Sequence, residues 1–155
     1  MSRRRKQKTV EKAIRKKGGA AGASGNSELT TRRATARGRV NLHPALLTAI
    51  MEKSGARATV LESAKAAGMV AAKRASDIVP SCHPQEPGHV QVRIEPAGKD
   101  SLSITAETSH LSQHDVDTAA LVAVAASALA IYETCRDAES EIVIADIRLV
   151  EKSRG

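Results

Sequence analysis

A cysteine and a histidine stand side by side between two prolines, at Cys82 and His83. Pro80 and Pro84 prevent a helix from continuing through this segment, so the pair is predicted to lie in a fixed loop. Polar side chains in a fixed loop need partners, and such loops often carry function. An imidazole titrates near neutral pH and can transfer protons, whereas the thiol has the simpler interpretation of a small packed side chain. The segment is therefore a candidate functional site.

The segment before this loop, residues 58–77, is predicted to be a helix. Small or apolar side chains recur close to helical spacing at Val60, Ala64, Ala67, Ala71 and Ala75. The same spacing places three cations where a partly exposed face could hold an anion, namely Lys65, Lys73 and Arg74.

The run from Ala67 to Pro84, AGMVAAKRASDIVPSCHP, resembles the signature of the cyclic pyranopterin monophosphate synthase family. That family carries a similar AG-x-x-AAK-x-x-x-x-(I/V)P-x-CHP run, and a weaker likeness covers residues 28–152. The resemblance implies a lyase of molybdenum cofactor biosynthesis. Such an enzyme converts a cyclised GTP derivative to cyclic pyranopterin monophosphate and releases pyrophosphate. It also implies a homohexamer built from dimers, with each active site shared across a dimer interface.

The resemblance further implies two sets of site residues. Those implied to bind the substrate are Arg32, Lys73, Cys82, His83 and Lys152. Those implied to take part in catalysis are His83, Arg57, Asp117, Glu133 and Arg136. A phosphate-bearing substrate requires fixed cations, and proton transfer requires groups that titrate near neutral pH. Neither a metal nor a cofactor is implied.

The chain departs from the family's pattern at several of these positions. Where the family has T-G-V-E-M-E-A-L, this chain has HDVDTAAL, so one acid is shortened to Asp117 and the other is replaced by Ala119. The family's Y-D-M-C-K is YETCR here, which places Glu133 and Arg136 on one helix face. The lysine expected ahead of the central helix aligns with Arg57. Arginine stays charged, so both arginines can hold phosphate but hardly transfer protons.

Three hypotheses follow from these residues. The first is an enzyme of the resembled type, in which His83, Asp117 and Glu133 transfer protons, with Lys73 and Lys152 as further candidates. The second is a catalytically altered homologue that binds a related purine-derived phosphate or a partner subunit. The third is an RNA-associated protein that uses a basic tail, which the near absence of aromatic side chains disfavours.

The positive charge is concentrated at the N-terminus. The whole chain of 155 residues has a formal net charge of +7, yet residues 1–17 alone hold nine Lys or Arg against one acid. Residues 1–27 are therefore predicted to be a flexible basic tail and linker, and residues 28–155 a single domain. A secretory signal and a membrane span are not expected, which favours a cytoplasmic protein. The resemblance implies a small-molecule substrate, and binding of nucleic acid is not expected.

The hydrophobic periodicity predicts the order β-α-α-β-β-α-β and an α+β, ferredoxin-like sandwich with a four-stranded antiparallel sheet. Either His114 or Asp115 is predicted to cap a long helix that continues to about Cys135. The predicted apolar stripe of that helix consists of Leu121, Val124, Ala125, Ala128, Leu129 and Tyr132. His110 and His114 are four residues apart in a predicted loop, and the two cysteines form no paired motif, so a zinc site and a disulfide framework are not indicated.

Overall fold

Four strands and four α-helices make up the described part of the chain. The computed structural model describes residues 28–53, 55–83, 87–138 and 140–155. The elements are β1 (Thr30–Asn41), α1 (Pro44–Met51), a 3-10 turn (Gly55–Arg57), α2 (Val60–Lys73), α3 (Ala75–Ile78), β2 (His89–Pro96), β3 (Ser101–Ser112), α4 (Asp117–Cys135) and β4 (Val143–Arg154). The predicted tail and linker, residues 1–27, and Pro84 of the CHP motif lie outside the described residues.

The strands form one antiparallel sheet in the order β2-β3-β1-β4. Alternation along β1 explains how the sheet acquires a covered face: Ala34, Ala36 and Val40 are buried, whereas Arg37 and Arg39 are exposed. Helices α2 and α4 pack on the buried face. The predicted α+β sandwich with a four-stranded antiparallel sheet is confirmed, and the strand order follows the split β-α-β pattern.

The two long helices approach each other closely at Gly68. Ser127 Oγ on α4 donates a hydrogen bond of 2.9 Å to the carbonyl oxygen of Ala64 on α2. One turn later on α2, a Cβ built on Gly68 would lie 2.8 Å from the carbonyl oxygen of Ala123 and would also collide with Ser127 Oγ. Gly68 follows Ala64 along α2, but it faces Ala123, which precedes Ser127 along α4. The two helices therefore run antiparallel. Glycine is thus required by the space between the helices.

Substitution of Gly68 by alanine is expected to lower the free energy of unfolding by about 2 kcal/mol, because overpacking outweighs the better helix propensity of alanine. Urea denaturation of the purified protein would measure the change. Ser127→Ala removes one of the two colliding groups, so the double variant should lose less stability than the two single changes added together. A Gly68→Ala protein that is as stable as the wild type would show that the helices can separate without cost.

The buried face of α4 differs from the predicted stripe. Val124, Ala128 and Ile131 are buried, but Leu129 and Tyr132 are 58% and 41% exposed. The helix is apolar on nearly every side, so hydrophobicity alone does not define one face. Small side chains allow the closest approach to α2 and the sheet, which leaves the large side chains of Leu129 and Tyr132 outside.

Three local predictions have different outcomes. The predicted capping of α4 is wrong, because Val116 occupies the N-cap position without a side-chain hydrogen bond. The central helix does not run unbroken to residue 77, since α2 ends at Lys73 and α3 begins at Ala75 after the single cap residue Arg74. The apolar side chains of the last strand, Ile142, Ile144, Ile147 and Leu149, predict a register break near Ala145. That break is confirmed by a shift in the β1 and β4 pairing, and Asp146 there has a φ of 56°.

Helix α4 is long and apolar enough to cross a membrane by length and composition alone, but one such helix is weak evidence and does not overturn the expectation of no membrane span. A central core helix meets the same criterion. Because α4 contacts α2 and strands β1, β3 and β4, its apolar composition is explained by its place against the sheet.

Candidate functional site

The antiparallel packing of α2 and α4 divides the predicted site residues between two ends of the protomer. Asp117 opens α4, and Glu133 comes sixteen residues later. At 1.5 Å per residue, their backbones are about 24 Å apart. Arg57 comes just before α2 and interacts with Cys135 at the end of α4. Lys73 ends α2, so the antiparallel packing places it toward the start of α4.

His83 lies against His114, which precedes α4. The two ring centroids are 3.7 Å apart and the ring planes differ by 16°, so the imidazoles are stacked. The backbone N–H of His114 donates a hydrogen bond of 2.9 Å to Ser112 Oγ at the end of β3. Cys82 is partly buried, and its Sγ lies 3.6 Å from the carbonyl oxygen of His83. The Cys-His loop is therefore joined to the start of α4 through its histidine.

Asp115 is the centre of a group of charged side chains beside this stack. Its carboxylate lies 2.7 Å from Lys152 Nζ, 3.3 Å from Arg154 Nη2 and 3.6 Å from Arg32 Nη1. Lys152 Nζ also lies 3.2 Å from Asp117 Oδ2. We call these five residues the Asp115 cluster. It joins β1, the start of α4 and the end of β4 into one polar surface.

Arg32 is held independently of Asp115. Its Nε and Nη2 donate hydrogen bonds of 3.3 Å to the carbonyl oxygens of Ser112 and Gln113. Only 12% of the Arg32 side chain is exposed. A guanidinium anchored in this way keeps its position with little loss of entropy when an anion binds.

The charges in the cluster shift the pKa values of Asp115 and Lys152 in opposite directions. Burial raises the pKa of Asp115, but the hydrogen bond from Lys152 and the charges of Lys152, Arg154 and Arg32 together lower the pKa below its usual value. The hydrogen bond to Asp115 raises the pKa of Lys152, burial opposes this rise, and Asp117 adds to it, so the pKa of Lys152 lies above its usual value. Lys152 is therefore a cation at neutral pH, which suits it to anion binding and not to service as a base.

The second group lies at the other end of α4. Arg136 Nη2 and Glu133 Oε1 are 3.3 Å apart, and both side chains are more than half exposed. Burial raises the pKa of the Cys135 thiol, while the charge of Arg57 and its hydrogen bond lower it by less. The Nε of Arg57 is buried and has no hydrogen-bond partner among the described residues. We call Arg57, Glu133 and Arg136 the arginine group.

The cations predicted on the central helix do not form one anion site. Lys65 lies 3.2 Å from Glu62 and Arg74 lies 3.8 Å from Asp77, so both are paired with neighbouring acids. Lys73 is exposed at the end of α2. Of the three, only Lys73 stays a candidate for substrate binding.

A sequence profile described as the MoaC family matches residues 24–155. The chain belongs to the MoaC family. Among its similar relatives is "Cyclic pyranopterin monophosphate synthase 3" of Mycobacterium tuberculosis strain ATCC 25618 / H37Rv, which is 40% identical over 127 residues that cover 82% of this chain and 72% of the relative. "Cyclic pyranopterin monophosphate synthase" of Desulforapulum autotrophicum is 38% identical over 129 residues, or 83% of this chain and 79% of the relative. The resemblance inferred from the CHP run is thereby confirmed.

Three residues of the candidate site are not predicted as site residues by the sequence of this MoaC-family chain. The sequence predicts His114 and Asp115 only as alternative helix caps, and it gives no role to Arg154. His110, predicted in a loop beside His114, lies within β3 instead. A signal for Arg154 was present, because Lys152 and Arg154 are two residues apart on one strand and therefore share a face.

Proposed function

We propose that this chain is a cyclic pyranopterin monophosphate synthase of molybdenum cofactor biosynthesis. It converts a cyclised GTP derivative to cyclic pyranopterin monophosphate and releases pyrophosphate. The observation that carries the proposal is that His83 of the Cys-His loop, stacked on His114, lies at the same end of the protomer as the fixed cations of the Asp115 cluster. Membership of the MoaC family and relatives named as synthases supply the substrate class.

Six residues of this end have a chemical task in the proposal. Arg32 and Lys152 bind the anionic groups of the substrate, and Lys73 and Cys82 contribute from the end of α2 and the loop. His83 transfers protons, because an imidazole both accepts and donates them near neutral pH. Asp117, which is 3.2 Å from Lys152, orients that cation and is a second proton carrier.

The arginine group completes the site from another subunit. In one protomer Glu133 lies about 24 Å along α4 from Asp117, which is too far for both to reach one small substrate. We infer that the protein is a homohexamer built from dimers and that each site joins the Asp115 cluster of one subunit to the arginine group of the next. Exposed apolar side chains such as Val70, Ile78 and Leu129 are available for subunit contacts. We also infer that the enzyme is cytoplasmic and that residues 1–27 are an appendage to its domain.

The decisive test gives the purified protein the cyclised GTP derivative and follows pyrophosphate with a coupled enzymatic assay. We expect one pyrophosphate for each molecule of cyclic pyranopterin monophosphate formed. Protein that binds the derivative but releases no pyrophosphate would contradict the proposal. It would instead match the second hypothesis, a binding homologue, which is motivated by arginine at both positions where the family's pattern has lysine.

A further inference from the structure

Asp115 forms ion pairs with the same cations that the proposed function assigns to substrate binding. Its carboxylate pairs with Lys152 and Arg32, both proposed to bind substrate, and also with Arg154. The family's T-G-V-E pattern has glycine at the position of Asp115. This acid is thus a feature of the present chain, and the family's usual site does not account for it.

The net charge of the Asp115 cluster is small, so an anion that binds there competes with the acids of the cluster. Arg32, Lys152 and Arg154 supply three positive charges, and Asp115 and Asp117 supply two negative charges. One positive charge is left over for a ligand that carries several negative charges. An anion that approaches these cations must therefore share or displace the Asp115 carboxylate.

The cations do not depend on Asp115 alone for their positions. Arg32 is bound by the carbonyl oxygens of Ser112 and Gln113, and Lys152 retains Asp117 as a partner. Arg154 belongs to β4, whose pairing with β1 is set by the backbone. Removing the carboxylate of Asp115 should therefore leave Arg32, Lys152 and Arg154 without this ion-pair partner while they keep their positions.

We propose that Asp115 is an internal counter-ion that competes with the pyrophosphate group of the ligand for Arg32, Lys152 and Arg154. The inference rests on the proposed function for the assignment of Arg32 and Lys152 to phosphate binding, and it adds Arg154 because Arg154 pairs with the same carboxylate. A built-in competitor weakens the hold of the site on free pyrophosphate, which favours departure of the product.

The test compares the binding of inorganic pyrophosphate to the wild type and to Asp115→Asn by titration calorimetry at low, fixed salt. We expect the variant to bind roughly two- to fivefold more tightly, which is the upper part of the range for a partly exposed ion pair. Glu151→Gln is the matched control. Glu151 is adjacent to Lys152 and loses the same charge, but alternation along β4 places it on the opposite face of the sheet. This control should bind pyrophosphate as the wild type does.

A second substitution at Lys152 distinguishes direct competition between Asp115 and pyrophosphate from a general change in the electrostatic potential of the site. In a Lys152→Met background, Asp115→Asn should gain much less affinity than it gains alone. Asp115→Glu keeps the charge and should show no gain. Asp115→Gly, which introduces the residue of the family's pattern, provides a second test if Asp115→Asn folds poorly, as judged by thermal unfolding.

Unchanged or weaker binding in both Asp115→Asn and Asp115→Gly would overturn the inference, as would an equal gain in Glu151→Gln. Failure of every protein to bind pyrophosphate at millimolar concentration would overturn it as well. Turnover of the cyclised GTP derivative is measured separately. Loss of the proposed function would appear as absent pyrophosphate release even where Asp115→Asn tightens pyrophosphate binding.

Discussion

Replacement of His83 by alanine is expected to lower kcat/KM for pyrophosphate release by about 10³-fold, within the range that a positioned general acid or base supplies. The His83 ring is stacked on His114 and lies at the end of the protomer that holds the Asp115 cluster. Its removal takes away the proposed proton carrier of the Cys-His loop and leaves the cations in place. Pyrophosphate binding should therefore change little, and the loss should appear mainly in kcat.

Two other histidines give the controls. His114→Phe preserves an aromatic partner for the His83 ring but removes the ring nitrogens of residue 114, so a small loss would assign the proton transfer to His83 itself. His89→Ala changes an exposed histidine on β2 and should leave turnover unaltered. Should His83→Ala keep activity within tenfold of the wild type, the proton transfer would belong to Asp117 or Glu133.

The His83→Ala variant also tests whether active sites are shared between subunits. His83→Ala and Arg57→Ala alter residues at opposite ends of α4 and should each be inactive. If a site combines the two ends from different subunits, randomly mixed oligomers should regain about a quarter of wild-type activity, because about one site in four has both halves intact. Mixtures without any recovery would place each complete site within one protomer.

The fold was predictable because periodicity along the strands is strong. Arginine alternates with small apolar residues in β1, and Val90, Val92 and Ile94 alternate with polar residues in β2, so each strand has one face that can be buried. Helix α4 lacks this contrast. Leu129 is as apolar as Ile131, and only the tertiary packing decides that Leu129 is exposed while Ile131 is buried.

The candidate site was predictable only where a motif identified its members. Cys82 and His83 stood out because two prolines flank them. The contact between His83 and His114, by contrast, joins residues far apart in the chain, and spacing along the sequence cannot reveal it. Local rules favour polar side chains before a helix, so the sequence predicts Asp115 as one of two alternative helix caps. Three cations from β1 and β4 bind it instead, and that competition exists only once the sheet has formed.

Restoring lysine at Arg57 and Arg136 is expected to raise kcat by roughly tenfold to a hundredfold, because lysine can lose a proton in a desolvated site whereas arginine cannot. Arg57 lies against Cys135 with its Nε buried, so a lysine there would be partly desolvated. Pyrophosphate binding should stay within a modest factor, since each change keeps the positive charge. Steady-state rates and titration calorimetry on the double variant would measure both effects.

The position of Glu133 decides whether the double change is sufficient. Glu133 is paired with Arg136 at 3.3 Å, and its side chain is one methylene longer than the aspartate of the family's pattern. A lysine at 136 is shorter than the arginine it replaces and ends in a compact charge, so the pair can lose its alignment with the substrate. A misplacement of about 1 Å can cost on the order of a hundredfold in rate.

Adding Glu133→Asp to the double variant should then recover the gain in kcat. A triple variant no faster than the wild type would show that these lysines are not needed here and would leave proton transfer to His83, Asp117 or Glu133.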